Sequence, residues 1–506
     1  MRNFGIGSWL ERRFQRSGTK TALVDGERML TYAQLRDRSA RIATALDAAG
    51  VQQCDRVALL GENSADFVTV LFGTELLGAV FVPLNTRLAP GEIAFQLEDS
   101  GAKILLHDPA LMQVAAAAVG NLGTSVPLWT LGESQEGSLS LDEQIKDTQP
   151  WTEDQDVSQD DLAVILYTSG TTGKPKGACL THGNLTWNAF NVLVDFDVAS
   201  PDVSLQISPM FHVASLGMGV LPVLLKGATL VVEPKFIPAR TLELIEKHGV
   251  TWLAGVPTTY QLLTEDPAWE TTDISTVSKM TCGGSAVPLR VIEAYEARGL
   301  RFTNCYGMTE TSPGVTTLPP DRSREKAGSS GISEFWTDFR IVDPMGDAAP
   351  VGEPGEILVA GPNVISRYWN RPDAAGSWEA GWFRTGDMGY TDDDGFLYIS
   401  DRIKDMIISG GENVYPAEVE AAMLRMPAVQ SVAVVGVPHE KWGEVPHAVV
   451  VLHDGAGSVT AAHVEEFLDG KLARYKVPKT LTIVEELPRT ASGKIRKNVL
   501  REQLGG

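Results

Sequence analysis

The chain reads as an α/β protein: a large N-terminal domain of parallel sheets covered by helices, carrying a small antiparallel β unit, followed by a small C-terminal α+β domain. Three observations predict it. Across residues 31–257, short apolar runs of strand type alternate with helix-period segments, the pattern of parallel strands buried on both faces. After about residue 335 helix signals thin out, and short runs broken by Gly, Pro and Asp turns dominate. Past Lys404 strands and helices resume with a new rhythm, which puts the division at residues 1–401 and 402–506.

Taken in order, Leu35, Ile42, Ala45 and Leu46 recur at helical spacing before Gly50, a residue suited to a C-cap. Residues 56–60 follow as a strand, 67–77 as a buried helix, and 79–84 and 103–106 as strands. Residues 131–161 lose the pattern and gain acid and Gln, so they read as an exposed connection. Residues 162–166 are a strand again, 216–225 a buried helix, 228–232 a strand, 241–248 a helix and 252–256 a strand. The antiparallel unit offers strands at 339–342, 356–360, 383–386 and 396–400. Beyond it stand a helix at 417–424, strands at 429–437 and 447–453, a helix at 461–472 and a strand at 480–484.

With 506 residues the chain exceeds one ordinary core. Its 64 acidic against 43 basic side chains give a net charge of −21, which favours solubility and disfavours nucleic acid as a partner. An anionic ligand must therefore be met by local clusters of Lys, Arg and backbone N–H groups. Cys54, Cys179, Cys282 and Cys305 show neither C-x-x-C spacing nor a matching His cluster, which argues against a disulfide or zinc framework. The first residues lack the apolar core of a signal peptide, and no run reaches the length of a membrane span. A cytoplasmic protein with no integral membrane segment is expected, with a homodimer left open.

Behind strand 162–166 lies Tyr167-Thr168-Ser169-Gly170-Thr171-Thr172-Gly173-Lys174-Pro175-Lys176-Gly177. Glycines let backbone N–H groups approach an anion, small hydroxyls add donors and lysines add charge, which suits a phosphate chain. It is not a Walker loop, because Pro175 stands where Ser or Thr must open a helix.

Four further blocks follow: Tyr306-Gly307-Met308-Thr309-Glu310, Gly381-Trp382-Phe383-Arg384-Thr385-Gly386-Asp387, Asp401-Arg402-Ile403-Lys404-Asp405 and Pro488-Arg489-Thr490-Ala491-Ser492-Gly493-Lys494. With the loop, and in this order, they resemble the adenylate-forming superfamily of acyl-CoA and aryl-CoA synthetases, peptide-synthetase adenylation domains and beetle luciferases. The chain looks closest to bacterial fatty acyl-CoA and feruloyl-CoA synthetases.

The resemblance implies a role for each motif. Thr168, Ser169, Gly170, Thr171, Thr172, Gly173 and Lys174 would hold the ATP phosphates; Tyr306 would stack on adenine, with Gly307, Met308 and Thr309 beside it. Glu310, with Thr168, would take Mg²⁺. Gly283-Gly284-Ser285 would run along adenine and acid, Asp387 would accept from the ribose hydroxyls, and Arg402 would be its basic partner. Lys494 would bridge the acid carboxylate and the α-phosphate. Lys404 matches the hinge about which a mobile C-terminal domain swings to admit CoA. Gly410, Gly411 and Glu412, with Ser409, Asn413 and Trp442, would line the pantetheine tunnel.

His212, in Pro209-Met210-Phe211-His212, resembles a gate to the acid pocket, whose further walls would be Trp187, Phe190, Thr258, Gly283, Gly307, Ser312 and Gly314. These walls suit an alkyl chain or an aromatic ring. The reaction implied is AMP-forming ligation of a fatty acid or a hydroxycinnamate such as ferulate to CoA. A carrier-protein-charging enzyme and a luciferase-like oxygenase are the alternatives within the resemblance. A catalytically silent nucleotide binder would lack Lys494, Glu310 or Asp387, and all three are present.

Overall fold

The computed structural model describes residues 2–168, 175–284, 287–402, 405–409, 412–439, 442–469, 472, 474–490 and 493–504. Ser169, Gly170, Thr171, Thr172, Gly173, Lys174, Ser285, Lys404, Gly410 and Gly411 lie outside the described residues, as do the side chains of Arg402, Glu412 and Asn413. The chain divides into two compact units: residues 1–325 with 333–338 and 360–381, and residues 326–332 with 339–359 and 382–506.

The first unit contains two sheets. One runs in the order Leu139–Ser140, Leu128–Thr130, Ala102–His107, Arg56–Leu60, Val80–Pro83, Leu162–Thr168, Lys176–Thr181, and only its last pair is antiparallel. The other follows Gly314–Thr317, Phe302–Gly307, Lys279–Gly283, Trp252–Gly255, Val203–Gln206, Thr229–Val232, Thr21–Asp25 and Arg28–Thr31. Its inner neighbours are parallel, and antiparallel pairs close each end of this series. The strand–helix alternation in the sequence therefore fills two sheets.

Local chemistry places the helices. Thr31 and Gln34 form a reciprocal capping box at the start of Tyr32–Ala48, whose Leu35, Ile42 and Leu46 are fully buried. The Ser64 hydroxyl accepts from Phe67 N–H at 3.1 Å and starts Ala65–Leu76. The helix expected at 216–225 is instead a π-helical segment, Ser215–Val220, passing into the α-helix Leu221–Lys226 at Pro222. A Cβ on Gly217 would crowd the Ser312 carbonyl at 2.5 Å, so the wider turn sits where a neighbouring backbone comes close. The connection at 131–161 contains a short helix, Leu141–Ile145, capped by the Ser140 hydroxyl.

In the second unit, Gly355–Ala360 pairs antiparallel with Trp382–Thr391, which pairs with Leu397–Arg402. A second sheet runs Glu412–Val414, Ile407–Ser409, Gly443–Leu452, Val429–His439, with Thr480–Ile483 parallel to Gly443–Leu452. Alternation along Val429–His439 gives each face its own core: Val432 and Val434 meet Val419, Met423 and Leu468, while Ala433 and Val435 meet Leu487 and Leu500. Helix Pro416–Met423 also packs against Leu397–Arg402. This packing groups the antiparallel sheet with the C-terminal residues, whereas the sequence expectation kept it within 1–401. Helix Ala461–Leu468 stops short of the expected 472 because Asp469 turns to ψ 131°.

Candidate active site

The loop after Thr168 connects two antiparallel strands, Leu162–Thr168 and Lys176–Thr181, in which Thr168 pairs with Lys176. The strand after this stretch runs antiparallel to the one before it, so the stretch does not lead into a helix as a Walker loop must. Tyr167 anchors the entering strand: its hydroxyl donates to Asp99 Oδ2 at 2.7 Å, and burial holds the phenol above its usual range. Trp369 anchors the leaving strand, donating from its backbone N–H to the Gly177 carbonyl at 2.7 Å and from its indole to the Asp99 carbonyl at 2.8 Å.

Tyr306, Gly307, Met308, Thr309 and Glu310 stand at the carboxyl end of Phe302–Gly307, the usual place for a site in an α/β sheet. Gly307 faces Gly314 on the returning strand, and a Cβ on Gly307 would collide with the Pro313 carbonyl. Glu310 lies in the single turn Thr309–Thr311 and is 8% exposed. Its Oε1 accepts from the Tyr368 hydroxyl at 2.7 Å. Burial, with the Glu310 carboxylate beside it, pushes the Tyr368 phenol well above its usual range. Tyr368 also bridges to Ala178, and Lys176 Nζ lies 5.4 Å from its ring centroid. One tyrosine thus ties the expected metal-binding carboxylate to the strand that leaves the phosphate loop.

Buried asparagines hold the turn that follows. Asn363 Nδ2 donates to the Thr311 carbonyl at 2.7 Å and the Gly314 carbonyl at 2.8 Å. Asn188 accepts from Gly314 N–H at 3.1 Å and donates to the Gly217 carbonyl at 2.8 Å. Asn191 accepts from Trp336 N–H at 2.8 Å and donates to the Thr337 hydroxyl at 2.9 Å, which in turn donates to Asn363 Oδ1 at 2.8 Å. Ser312 takes a positive φ of 68° within this frame.

The expected acid-pocket residues fall into two groups. Gly283, Gly307, Ser312 and Gly314 gather around strands 302–307 and 314–317, and a Cβ on Gly283 would lie 3.5 Å from Cys305 Sγ. Gly284 makes the turn there at φ 88°. Trp187 and Phe190 instead join an edge-to-face aromatic cluster with Trp336, in which Phe190 is 38% and Trp336 45% exposed. His212 packs on the Phe211 ring at 4.8 Å, and its carbonyl accepts from Ser215 and Leu216 N–H at the head of the π-helical segment. Thr258 opens the helix Pro257–Glu265.

In the second unit, Asp387 and Arg402 are register partners on adjacent strands, so the pair expected at the ribose is brought together. Asp387 is 6% exposed. Thr490 N–H donates to the Lys494 carbonyl at 2.7 Å, Gly493 takes φ 85°, and the Lys494 side chain is exposed. Ser409 pairs with Glu412 on one side and Gly443 on the other, which carries Trp442, 45% exposed, to the edge of the expected tunnel residues.

Sequence reasoning missed Tyr368, Glu334 and the asparagines. Polar residues spaced through apolar helix, as Asn188 and Asn191 are, were the available signal. Among the described residues no group of three or more His, Cys, Asp or Glu could hold a metal. A magnesium ion here would come with phosphates, and the buried Glu310 carboxylate fits that chemistry.

Comparison with known proteins gives a consistent picture. Residues 10–369 match the family described as AMP-binding enzyme, and residues 418–494 match the AMP-binding enzyme C-terminal domain. A feruloyl-CoA synthase from an Amycolatopsis species is 46% identical over 507 residues, covering all of both chains. The long-chain-fatty-acid–CoA ligase FadD13 from Mycobacterium tuberculosis is 38% identical, covering 94% of this chain and 93% of that one. Among solved structures, o-succinylbenzoate coenzyme A synthetase from Bacillus subtilis with ATP and magnesium ion is 35% identical. It superposes with a TM-score of 0.87, covering 99% of each chain.

Proposed function

The chain belongs to the AMP-binding enzyme family, and from that premise we propose that it activates a hydroxylated aromatic acid of the hydroxycinnamate class. It is an acyl-CoA or aryl-CoA synthetase of the AMP-forming kind and uses ATP and CoA. In such a ligase the acid carboxylate attacks the α-phosphate of ATP, expelling pyrophosphate. The CoA thiol then attacks the acyl carbon, and AMP leaves.

The observation that carries the aromatic reading is the full-length 46% identity to a feruloyl-CoA synthase, against 38% to a long-chain fatty acid ligase. Gly283, Gly307 and Gly314 let neighbouring backbone and side chains approach closely at this end of the proposed acid site. Glu310 and Thr168 would hold Mg²⁺, which would offset phosphate charge when bound. Lys494 would neutralise the two anions that must meet, and Asp387 with Arg402 would grip the ribose. We also propose that residues 402–506 swing about Lys404 between the two steps, and that the enzyme is cytoplasmic; free cysteines support a reducing compartment.

The test is pyrophosphate or AMP release with ATP, Mg²⁺ and CoA across hydroxycinnamic acids, benzoic acids and fatty acids of graded length. The expected maximum lies among the hydroxycinnamates. A maximum among alkyl acids would overturn the aromatic assignment.

A further inference from the structure

One wall of the acid pocket is not what its sequence position suggests. Gly314 contributes no side chain, yet the volume in which its Cβ would stand is filled: a Cβ built there would lie 2.0 Å from Oε2 of Glu334. In chemical terms the wall at position 314 is a carboxyl group. Glu334 is 2% exposed. Its Oε1 accepts from the Thr317 hydroxyl at 3.2 Å and the Asn191 side chain also stabilises the carboxyl, while the buried Oε2 makes no hydrogen bond of good geometry. An unpartnered buried oxygen is costly and calls for a function or a missing ligand.

The surroundings tie this carboxyl to the site. Gly314 faces Gly307 in register, directly after the motif that would bind adenine and magnesium. Glu334 N–H donates to the Val315 carbonyl at 2.9 Å, which fixes its backbone to the same strand. Burial, with the Glu334 carboxyl nearby, pushes the Cys305 thiol up to about 12, and Cys305 lies against the Cβ position of Gly283. Gly283, Cys305, Glu334 and Gly314 are therefore contiguous. Segment 334–337 is pinned by Asn191 and Thr337, so the carboxyl is held in place.

We propose that Glu334 is a specificity residue whose carboxyl hydrogen-bonds a polar ring substituent, the phenolic hydroxyl, of the aromatic acid. This inference rests on the aromatic reading above. Burial, reinforced by Asp195, pushes the Glu334 carboxyl up to about 8, so at pH 7 it is largely uncharged. An uncharged carboxyl can donate to or accept from a neutral phenol without stranding a charge inside the pocket. Gly314 is the complement of this arrangement, because any side chain there would displace the carboxyl.

The experiment compares kcat/KM for 4-hydroxycinnamate and for cinnamate, by ATP-dependent pyrophosphate release, in the wild type, Glu334→Gln and Glu334→Leu. The ratio of two substrates cancels general damage to the enzyme. The wild type should favour 4-hydroxycinnamate by about tenfold, the worth of one buried hydrogen bond. Glu334→Leu should bring the ratio near one, and the near-isosteric Glu334→Gln should retain part of it. Equal use of the two acids by the wild type, or an unchanged ratio in the variants, overturns the assignment. Wild-type enzyme active on alkyl acids alone would sink the aromatic reading itself, a separate outcome. If Glu334→Leu fails to fold, the wild-type ratio and Glu334→Gln still decide.

Discussion

Glu310, the proposed magnesium ligand, illustrates how a single side chain is held in place. A carboxylate proposed to meet magnesium and phosphate is best held in one rotamer. The Tyr368 hydroxyl, at 2.7 Å, donates to Oε1 and so limits its rotation. Because Tyr368 also bridges to Ala178, the carboxylate shares a support with the strand leaving the phosphate loop. Tyr368→Phe keeps the ring and the Lys176 contact while removing the donor. Adenylate formation should fall about tenfold, the Mg²⁺ concentration for half-maximal rate should rise, and thioester formation from preformed adenylate should hardly change. Pyrophosphate release during a Mg²⁺ titration reads the first two. An unaltered Mg²⁺ dependence would reduce Tyr368 to a packing residue.

At the level of elements, the turn 309–314 has little regular structure to hold it, so side chains from distant segments must. Asn363 alone satisfies two of its carbonyls, and its own oxygen is met by Thr337. Asn363→Ala would leave buried carbonyls unpaired, costing about 1–3 kcal/mol each. The expected result is a lower thermal unfolding midpoint together with a raised KM for ATP and acid; a lowered midpoint with unchanged kinetics would separate the turn from the site. This network also marks where sequence reading stopped. The strands at 56–60, 162–168 and 252–255 were legible because apolar runs and turn residues are local signals. Strand Thr21–Asp25, which pairs with Thr229–Val232, was not, because its partner lies some two hundred residues away. Glu310, Asp387 and Lys494 were legible through their motifs. Tyr368 and Glu334 stand in no motif that was read, and only the fold carries Tyr368 to Glu310 and Glu334 to Gly314.

In the molecule as a whole, one chain performs two chemically different steps. Adenylation needs positive charge between two anions, and thioester formation needs a passage for a long pantetheine arm. The candidates for the two tasks, Lys494 and residues 409–412, both belong to the second unit but have different local partners: the Lys494 carbonyl accepts from Thr490 N–H, while Ser409 pairs with Glu412 and Gly443. Substitutions at the two places should therefore divide the reaction. Lys494→Ala should lower adenylate formation by two to three orders of magnitude, as loss of one such contact costs about 3–4 kcal/mol in the transition state. It should still pass preformed acyl-adenylate to CoA at nearly the wild-type rate. Gly411→Leu should show the reverse, because a side chain in the proposed tunnel blocks the thiol but leaves the phosphates untouched. Single-turnover measurement of each half-reaction in both variants makes the comparison. Equal losses in the two steps would mean that one arrangement of the C-terminal domain serves both, and the swing about Lys404 would have to be abandoned.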